Sequence, residues 1–396
     1  MSTHSLVLPR LPVLSWAYLL ERRKSPLPSI MEAKYRLPTT SGRAAIALAL
    51  RATGCQAGDR ILVPTYHCPT MVAPIVALGG KPVFYPTGPH GEALLDQLPA
   101  ELLDGARAAI VPHYFGLPQP LSRIRALCDA QGIALIEDCA HAFFGLCEGQ
   151  PVGSWGDYAI ASLTKFFPVT EGGCLVSHRH PLTSPALSLA RRPSSASLRV
   201  LADALELSVQ HGRLAGLNSL LNPLFDAKRR LNRAVSTHTP SIPEDPLAAA
   251  ILRAHADFSP EALPFSRIAA AARMLVRAGG SARTVRLRQT NYAGLAERLA
   301  GLRGARPLQR SCGGNAAPYV FPLWVDSPDE VYQKLRQSGV PVFRWDERWP
   351  ATPDLPGDSG KKWSHHVFQI GCHQDLSATN LDWIAETLKT LIDGTV

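Results

Sequence analysis

The feature that most constrains this chain is an alternation of short apolar strands with helices that begins near Thr39 and runs to about Ser177. Ser41-Gly42-Arg43 opens an Ala- and Leu-rich helix over residues 44–53, closed by Gly54 and Gly58. Residues 61–64 read as a strand, 69–78 as a helix ended by Gly79-Gly80, and 82–85 as a strand. Another strand, 108–111, runs into Pro112-His113-Tyr114-Phe115-Gly116, and a helix over 121–131 leads into a strand over 133–136. Residues 158–163 and 174–177 read as two strands joined by a loop that carries Lys165. Such alternation predicts a mostly parallel sheet with helices on both faces. Ligands in these sheets bind beyond the carboxyl ends of the strands, where His113, Asp138 and Lys165 all fall.

Beyond this core the pattern changes. Residues 182–256 read as helical with Pro and Ser breaks, and 268–302 as one or two long helices. A boundary near 304–315 precedes strands at 319–325, 340–344 and 367–370 and helices at 328–338 and 376–392. The expected organisation is an N-terminal arm (1–34) and a large domain (35–260) with an Arg-rich helical insertion at about 182–260. Linking helices and a smaller C-terminal α+β domain (261–396) complete it.

The chain has 396 residues, 46% hydrophobic and 18% charged, enough for a large and a small domain. No apolar run reaches the ~18 residues that span a bilayer. The apolar patch at 6–20 is broken by Pro9, Arg10 and Pro12; it reads as an arm packed on a partner subunit rather than a signal peptide. Eight cysteines form neither C-x-x-C pairs nor Cys/His clusters, so they read as buried reduced thiols of a cytoplasmic protein, with no metal site. Net charge is +9, and residues 183–290 hold 15 basic against 7 acidic side chains. That excess is either a solvated set of helix faces or a surface for an acidic partner: a nucleotide diphosphate, a carrier protein or a membrane face. No nucleic-acid-binding motif accompanies it, so nucleic acid is not expected as a partner.

The chemistry sits at two strand ends. One delivers Glu137-Asp138-Cys139-Ala140-His141; the other delivers Ser162-Leu163-Thr164-Lys165, followed by Glu171-Gly172-Gly173. A carboxylate and a Ser-x-x-Lys unit so arranged meet the needs of pyridoxal phosphate: a lysine for the Schiff base, an acid that keeps the ring nitrogen protonated, and a serine for the phosphate. A lysine attacks only when neutral, and Phe166-Phe167-Pro168 beside Lys165 argue for the burial that lowers its pKa. Asp138 is preferred to Glu137 because consecutive strand residues face opposite ways. The bland readings are an exposed loop lysine and a helix-capping aspartate. The helix opened by Ser41-Gly42-Arg43 offers free N–H groups and a dipole for an anion. Ser162 and Lys165 as an acyl-enzyme dyad would need Ser-Asp-Asn and Lys-Thr-Gly elements, which the sequence lacks.

In order and spacing, several segments together resemble the DegT/DnrJ/EryC1/StrS aminotransferases among the fold-type I pyridoxal-phosphate enzymes. They are Ser41-Gly42-Arg43-Ala44-Ala45, Asp59 to Tyr66, Gly80-Lys81-Pro82-Val83-Phe84, Glu137-Asp138-Cys139-Ala140-His141-Ala142, Gly153-Ser154-Trp155-Gly156-Asp157, and Lys165 with Glu171-Gly172-Gly173. The resemblance implies an α/β, fold-type I architecture and a homodimer with active sites at the subunit interface. It implies transfer of an amino group from an amino acid such as glutamate to a keto-sugar, commonly nucleotide-linked. Lys165 becomes the Schiff-base lysine, Asp138 the pyridinium partner and His141 a group near the phenolic oxygen. Ser41, Gly42, Arg43 and Ser162 become phosphate contacts. The usual ring-stacking aromatic falls on Cys68, which leaves Tyr66 or His67 to substitute, with His67 slightly preferred. Arg344-Trp345-Asp346 and Gly371-Cys372-His373 lie where substrate contacts are expected, with Arg344 and His373 as the candidates. The family's Gly-x-Asn-x-Arg-like stretch is not found between 182 and 302; Asn218, Asn222 and Asn232 are the substitutes for a cross-subunit contact. A non-sugar ketone, a dehydration on the same cofactor and a non-catalytic scaffold are the alternatives; relatives that dehydrate carry histidine in place of the lysine, which favours transamination here.

Overall fold

In a computed structural model, which describes residues 8–235, 253–256, 258 and 265–393, the alternation becomes one large sheet and one small one. The strands are β1 (Tyr35–Thr39), β2 (Arg60–Pro64), β3 (Lys81–Tyr85), β4 (Ala108–Pro112) and β5 (Ala134–Asp138). They continue with a short pair, β6 (Leu146–Cys147) and β7 (Gln150–Pro151), then β8 (Tyr158–Ser162) and β9 (Gly173–Ser177). The small sheet comprises β10 (Ala305–Pro307), β11 (Val320–Val325), β12 (Val342–Phe343) and β13 (Val367–Gly371). The large sheet runs β1-β9-β8-β5-β4-β2-β3, and the small one β10-β11-β13-β12. From β3 to β8 all pairs are parallel; β8-β9 and β9-β1 are antiparallel.

Parallel strands buried on both faces need apolar residues at every position, and β4 is buried throughout. Ala108, Ile110, Ile136, Ile160 and Leu175 face one side and pack with the helices Gly42–Ala52 and Pro69–Ala77. Ala109, Val111, Leu135, Ala159, Ala161 and Val176 face the other. This parity has a consequence at the strand ends. Asp138 and Ser162 continue the rows of Ile136 and Ile160, so both emerge on the face that carries the Gly42–Ala52 helix. Glu137 emerges on the opposite face.

Strand β1 escapes the sequence reading because Arg36 and Pro38 interrupt any apolar alternation. It forms because β9 offers an antiparallel partner over five residue pairs, and proline is tolerated on the sheet's edge. The helices Ala270–Ala278 and Ser281–Arg298 fill the expected 268–302 stretch. Ser194–Gln210 and Asn218–Val235 fill part of 182–256, and much of the remainder to 260 lies outside the described residues. The arm, expected against a partner subunit, also has partners in its own chain. Residues 8–34 run along their own chain: Gly280 N donates to Glu21 O, Ala282 N to Arg23 O, and Tyr18 Oη to Leu275 O. Backbone hydrogen bonds near the Gly279-Gly280 break between the two helices hold the arm in place, and no apolar count of residues 6–20 registers them. No helix among the described residues is long and apolar enough to cross a membrane.

Candidate active site

A cavity of about 200 Å³ opens at the carboxyl ends of β4, β5 and β8, on the side of the Gly42–Ala52 helix. Ser41, Gly42 and Arg43 line it, as do Cys68, Asp138, Ala140, His141, Ser162 and Lys165, with Trp345 from the second half of the chain. The structure therefore brings together seven residues singled out from the sequence around one space: Ser41, Gly42, Arg43, Asp138, His141, Ser162 and Lys165.

The helix end is built by close approach. Ser41 caps the helix, its Oγ accepting from Ala44 N at 3.2 Å. Behind it, a Cβ on Gly173 would lie 2.2 Å from Ser41 O, so only glycine lets β9 pass here. A Cβ on Gly42 would sit 3.5 Å from Ser162 Cβ, which places the serine beside the first turn of the helix. An 11-residue helix with its N–H groups directed at this corner, and a hydroxyl beside them, is suited to an anion.

Asp138 is held through one oxygen. Oδ1 accepts from Ala140 N at 2.8 Å, and no hydrogen bond reaches Oδ2 among the described residues. Burial raises its pKa, opposed by the Ala140 amide and the charge of Lys165. The adjacent Glu137 has the opposite surroundings. It accepts from His113 Nε2 at 2.8 Å, Gly153 N at 2.6 Å, Trp155 N at 3.0 Å and Gly156 N at 3.2 Å. Burial pushes its pKa up, but the His113 hydrogen bond and charge and the Gly153 and Gly156 amides outweigh that and hold it below the usual value. His113, Glu137 and Cys139 lie close enough to share a metal ion, yet His113 and Glu137 already spend their facing atoms on each other and on the 153–156 loop.

His141 accepts from Phe115 N at 3.3 Å through Nδ1, so the ring's remaining proton is on Nε2. Burial, and then the Lys165 charge, push its pKa well below 6.5, so the ring is neutral. Phe115 reaches this position in a left-handed backbone conformation (φ 60°), a strained geometry for a non-glycine residue. The His141 ring lies 4.5 Å from Tyr319 and 5.1 Å from Trp345. Lys165 ends a short 3-10 turn, Leu163–Lys165, with Nζ 5.1 Å from the Tyr319 ring centre. Burial among these groups lowers its pKa, with the nearby Cys68 and Asp138 opposing.

Four expectations are corrected. Tyr66 is fully buried behind the cavity, its ring 5.0 Å from Trp345 and 5.1 Å from Tyr114. His67 is fully buried as well: Nδ1 contacts Pro64 O at 2.8 Å, Nε2 accepts from Trp349 N at 3.0 Å, and burial lowers its pKa to about 4. Neither lines the cavity; the short side chain of Cys68 does. Arg344 is turned to Asp329 and Asp346, at 3.1 Å each. His373 is sealed against the arm, Nε2 to Pro9 O at 2.9 Å. Arg344 pairs outward because the next residue, Trp345, takes the inward position, and His373 is covered by an arm some 360 residues earlier in the chain. Asn218 and Asn222, expected to reach a partner subunit's site, belong to the helix Asn218–Val235; the Asn232 side chain lies outside the described residues. Trp345, in the middle of the expected Arg344-Trp345-Asp346 segment, is the member of that segment that reaches the cavity.

Residues 25–199 match the model of the DegT/DnrJ/EryC1/StrS aminotransferase family. GDP-perosamine synthase of Vibrio cholerae is 30% identical over 175 residues, 43% of this chain and 47% of that protein. The UDP-N-acetyl-3-dehydro-alpha-D-glucosamine 3-aminotransferase of Acidithiobacillus ferrooxidans is 32% identical over 185 residues, 46% of this chain and 48% of its own length. The matches thus span about half the length of these relatives. Among solved structures, DesI in the presence of its TDP-sugar product superposes with a TM-score of 0.63 at 18% identity, covering 92% of this chain and 82% of that one. The aminotransferase from Psychrobacter cryohalolentis gives 0.60 at 16%, covering 92% and 89%. At these identities the superpositions establish the fold, which is that of the fold-type I enzymes.

Proposed function

From the match of residues 25–199 to the model of the DegT/DnrJ/EryC1/StrS aminotransferase family, we propose that this protein is a pyridoxal-phosphate-dependent aminotransferase of that family. It moves an amino group from an amino acid, glutamate in the first instance, to a keto-sugar carried on a nucleotide. The observation that carries the reading is the placement of Lys165 and Asp138 on one cavity, the lysine with a lowered pKa and the carboxylate with one oxygen uncommitted.

The residues present fit the cofactor's chemistry. The helix start at Ser41, Gly42 and Arg43, with Ser162, suits a phosphate. Asp138 suits a protonated ring nitrogen. The Nε2 proton of neutral His141 suits a phenolate oxygen. Ala140 and Trp345, a small and a flat side chain on the same cavity, suit the faces of an aromatic ring. When bound, pyridoxal phosphate supplies an electron sink that stabilises negative charge at the substrate's α-carbon.

Each residue then has a task. Lys165, neutral for part of the time because it is buried, attacks a carbonyl carbon; once released, it accepts and returns the proton at the substrate's α-carbon. Asp138 keeps its carboxylate at the position where positive charge must persist. His141 donates one hydrogen bond and cannot compete for the proton, because its surroundings disfavour a second positive charge beside Lys165. Trp345 and the apolar wall limit water. The keto-sugar acceptor is supported by what the relatives' names say they make or act on; a homodimer in the cytoplasm is the reading that the family resemblance implies.

The test is the visible absorption of the purified protein. A band that borohydride abolishes and that Lys165→Ala lacks is the expected result, with a change of band on adding glutamate. No band after adding pyridoxal phosphate would overturn the proposal.

A further inference from the structure

Arg288, in the middle of the helix Ser281–Arg298, is the largest fully buried side chain among the described residues. Among the described residues all of its hydrogen-bond partners are neutral. Nε donates to Gln374 Oε1 at 2.8 Å; Nη1 donates to Pro318 O at 2.9 Å and Tyr319 O at 3.2 Å; Nη2 donates to Lys165 O at 2.7 Å. Its Cζ lies over the Phe166 ring, 4.4 Å from the ring centre. Gln374 completes the clamp, its Nε2 donating to Phe166 O at 2.9 Å.

A guanidinium without an ionic partner is costly to bury, and burial here lowers its pKa to about 10. An aliphatic side chain would avoid that cost. What it lacks is a rigid fork of five donors, four of which are committed to particular acceptors. Two of those acceptors bear on the lysine. One is the carbonyl of Lys165 itself, at the end of a single 3-10 turn where the helix supplies no donor for it. Another is the carbonyl of Tyr319, whose ring lies beneath Lys165 Nζ.

We infer that Arg288 is the positioning residue for Lys165, fixing both the backbone that bears the lysine and the ring against which its amine rests, with Gln374 as its brace. Arg288 does not line the cavity; it acts only through Lys165, Phe166 and Tyr319. The inference deepens the proposed function, since holding this amine at one place matters for a group that must attack and then shuttle a proton. It also ties the lysine turn to elements about 120 and 210 residues later in the chain.

The test reads the amine without the cofactor. Cofactor-free protein is trace-labelled with acetic anhydride between pH 7 and 11, and labelling at Lys165 is measured by mass spectrometry, with exposed Lys81 as the internal standard. In Arg288→Met the freed turn lets the ammonium reach water, so the labelling midpoint should rise toward the ordinary value. A rise of one pKa unit lowers labelling at pH 8 about tenfold. Arg288→Lys, which keeps the charge and loses the fork, should shift in the same direction. With pyridoxal phosphate added, the visible band should form about tenfold more slowly in both variants, with kcat falling more than KM. Wild-type labelling of Lys165 in an Arg288→Met protein with native circular dichroism would overturn the inference. Should Arg288→Met fail to fold, Gln374→Leu carries the test: labelling should drop about threefold, and an unchanged midpoint would overturn it equally. Failure of the wild-type protein to form a band would strike the proposed function and leave the labelling result standing.

Discussion

Two regions meet at the cavity and are built differently. What residues 41–165 contribute arrives at or just after strand ends or at the start of a helix, and strand parity decides which face Asp138 and Ser162 take. Trp345 arrives from a loop after β12, held by packing: Trp349 N donates to His67 Nε2 at 3.0 Å, and the Trp345 ring rests 5.0 Å from Tyr66 and 5.1 Å from His141. Tyr66 and His67 thus serve as the seat of the cover and not as part of the cavity. For Asp138 and Ser162 a side chain's role follows from its parity in a strand; for Trp345, as for the turn that carries Lys165, it follows from neighbours far away in sequence.

The comparison can be broken most decisively at its chemical centre. Lys165→Ala should lose the borohydride-sensitive band and lower kcat by roughly 10⁴-fold or more, since it removes the general base together with the attachment point. Activity within tenfold of wild type would place the chemistry elsewhere. Asp138→Asn keeps an oxygen for the Ala140 amide while removing the charge; kcat should fall about 10²-fold, as for loss of one well-placed electrostatic group, with little change in melting temperature.

Glu137→Gln tests whether parity separates chemistry from structure on adjacent residues. It should destabilise the fold by about 1–3 kcal/mol, seen in urea unfolding, while folded protein keeps most of its kcat. The pH dependence of the two variants should run in opposite directions in cofactor-free protein. Glu137 has a lowered pKa in the fold, so its contribution is present above its ordinary value of 4.5 and is lost as pH falls through the lower folded value. The wild-type advantage over Glu137→Gln should therefore shrink below about pH 4. Asp138 has a raised pKa, so the wild type loses stability as pH rises from its ordinary 3.8 toward the folded value. Asp138→Asn should accordingly gain on the wild type above about pH 4. Parallel curves for both variants would refute the separation.

The second region should give smaller effects. Trp345→Ala removes one aromatic face and should weaken retention of pyridoxal phosphate about tenfold, in keeping with the ~0.5–1.5 kcal/mol of an aromatic contact and the apolar area lost with it; fluorescence-monitored titration measures it. Smallest of all is Arg344→Ala. Its guanidinium pairs with Asp329 and Asp346, both well exposed, and such pairs contribute about 0–1 kcal/mol, so KM for either substrate should stay within about threefold. A tenfold rise in KM would restore Arg344 to the substrate site.

Much of this was legible from residues alone. Runs of four or five apolar residues between helix signals locate β2, β3, β4, β5, β8 and β9 to within a residue or two, and strand parity separates Asp138 from Glu137. Strand β1 was not legible, because its pairing is with a partner some 140 residues away. Nor was the arm's seat on its own chain, which depends on backbone hydrogen bonds that no side-chain pattern advertises.

The sequence by itself determined the α/β alternation, the strand ends at which chemistry can occur, and the identity of the lysine, the aspartate and the helix start that share a cavity. These follow from local periodicity, because a period of two and a fixed strand direction leave a side chain only two faces to choose between. Tertiary structure alone decided that Trp345 and not Arg344 turns inward, that Tyr66 and His67 lie behind the wall, that His373 is sealed by the arm, and that a buried arginine grips the backbone of Lys165. Those outcomes depend on contacts between residues more than a hundred positions apart, which packing settles and no local pattern encodes.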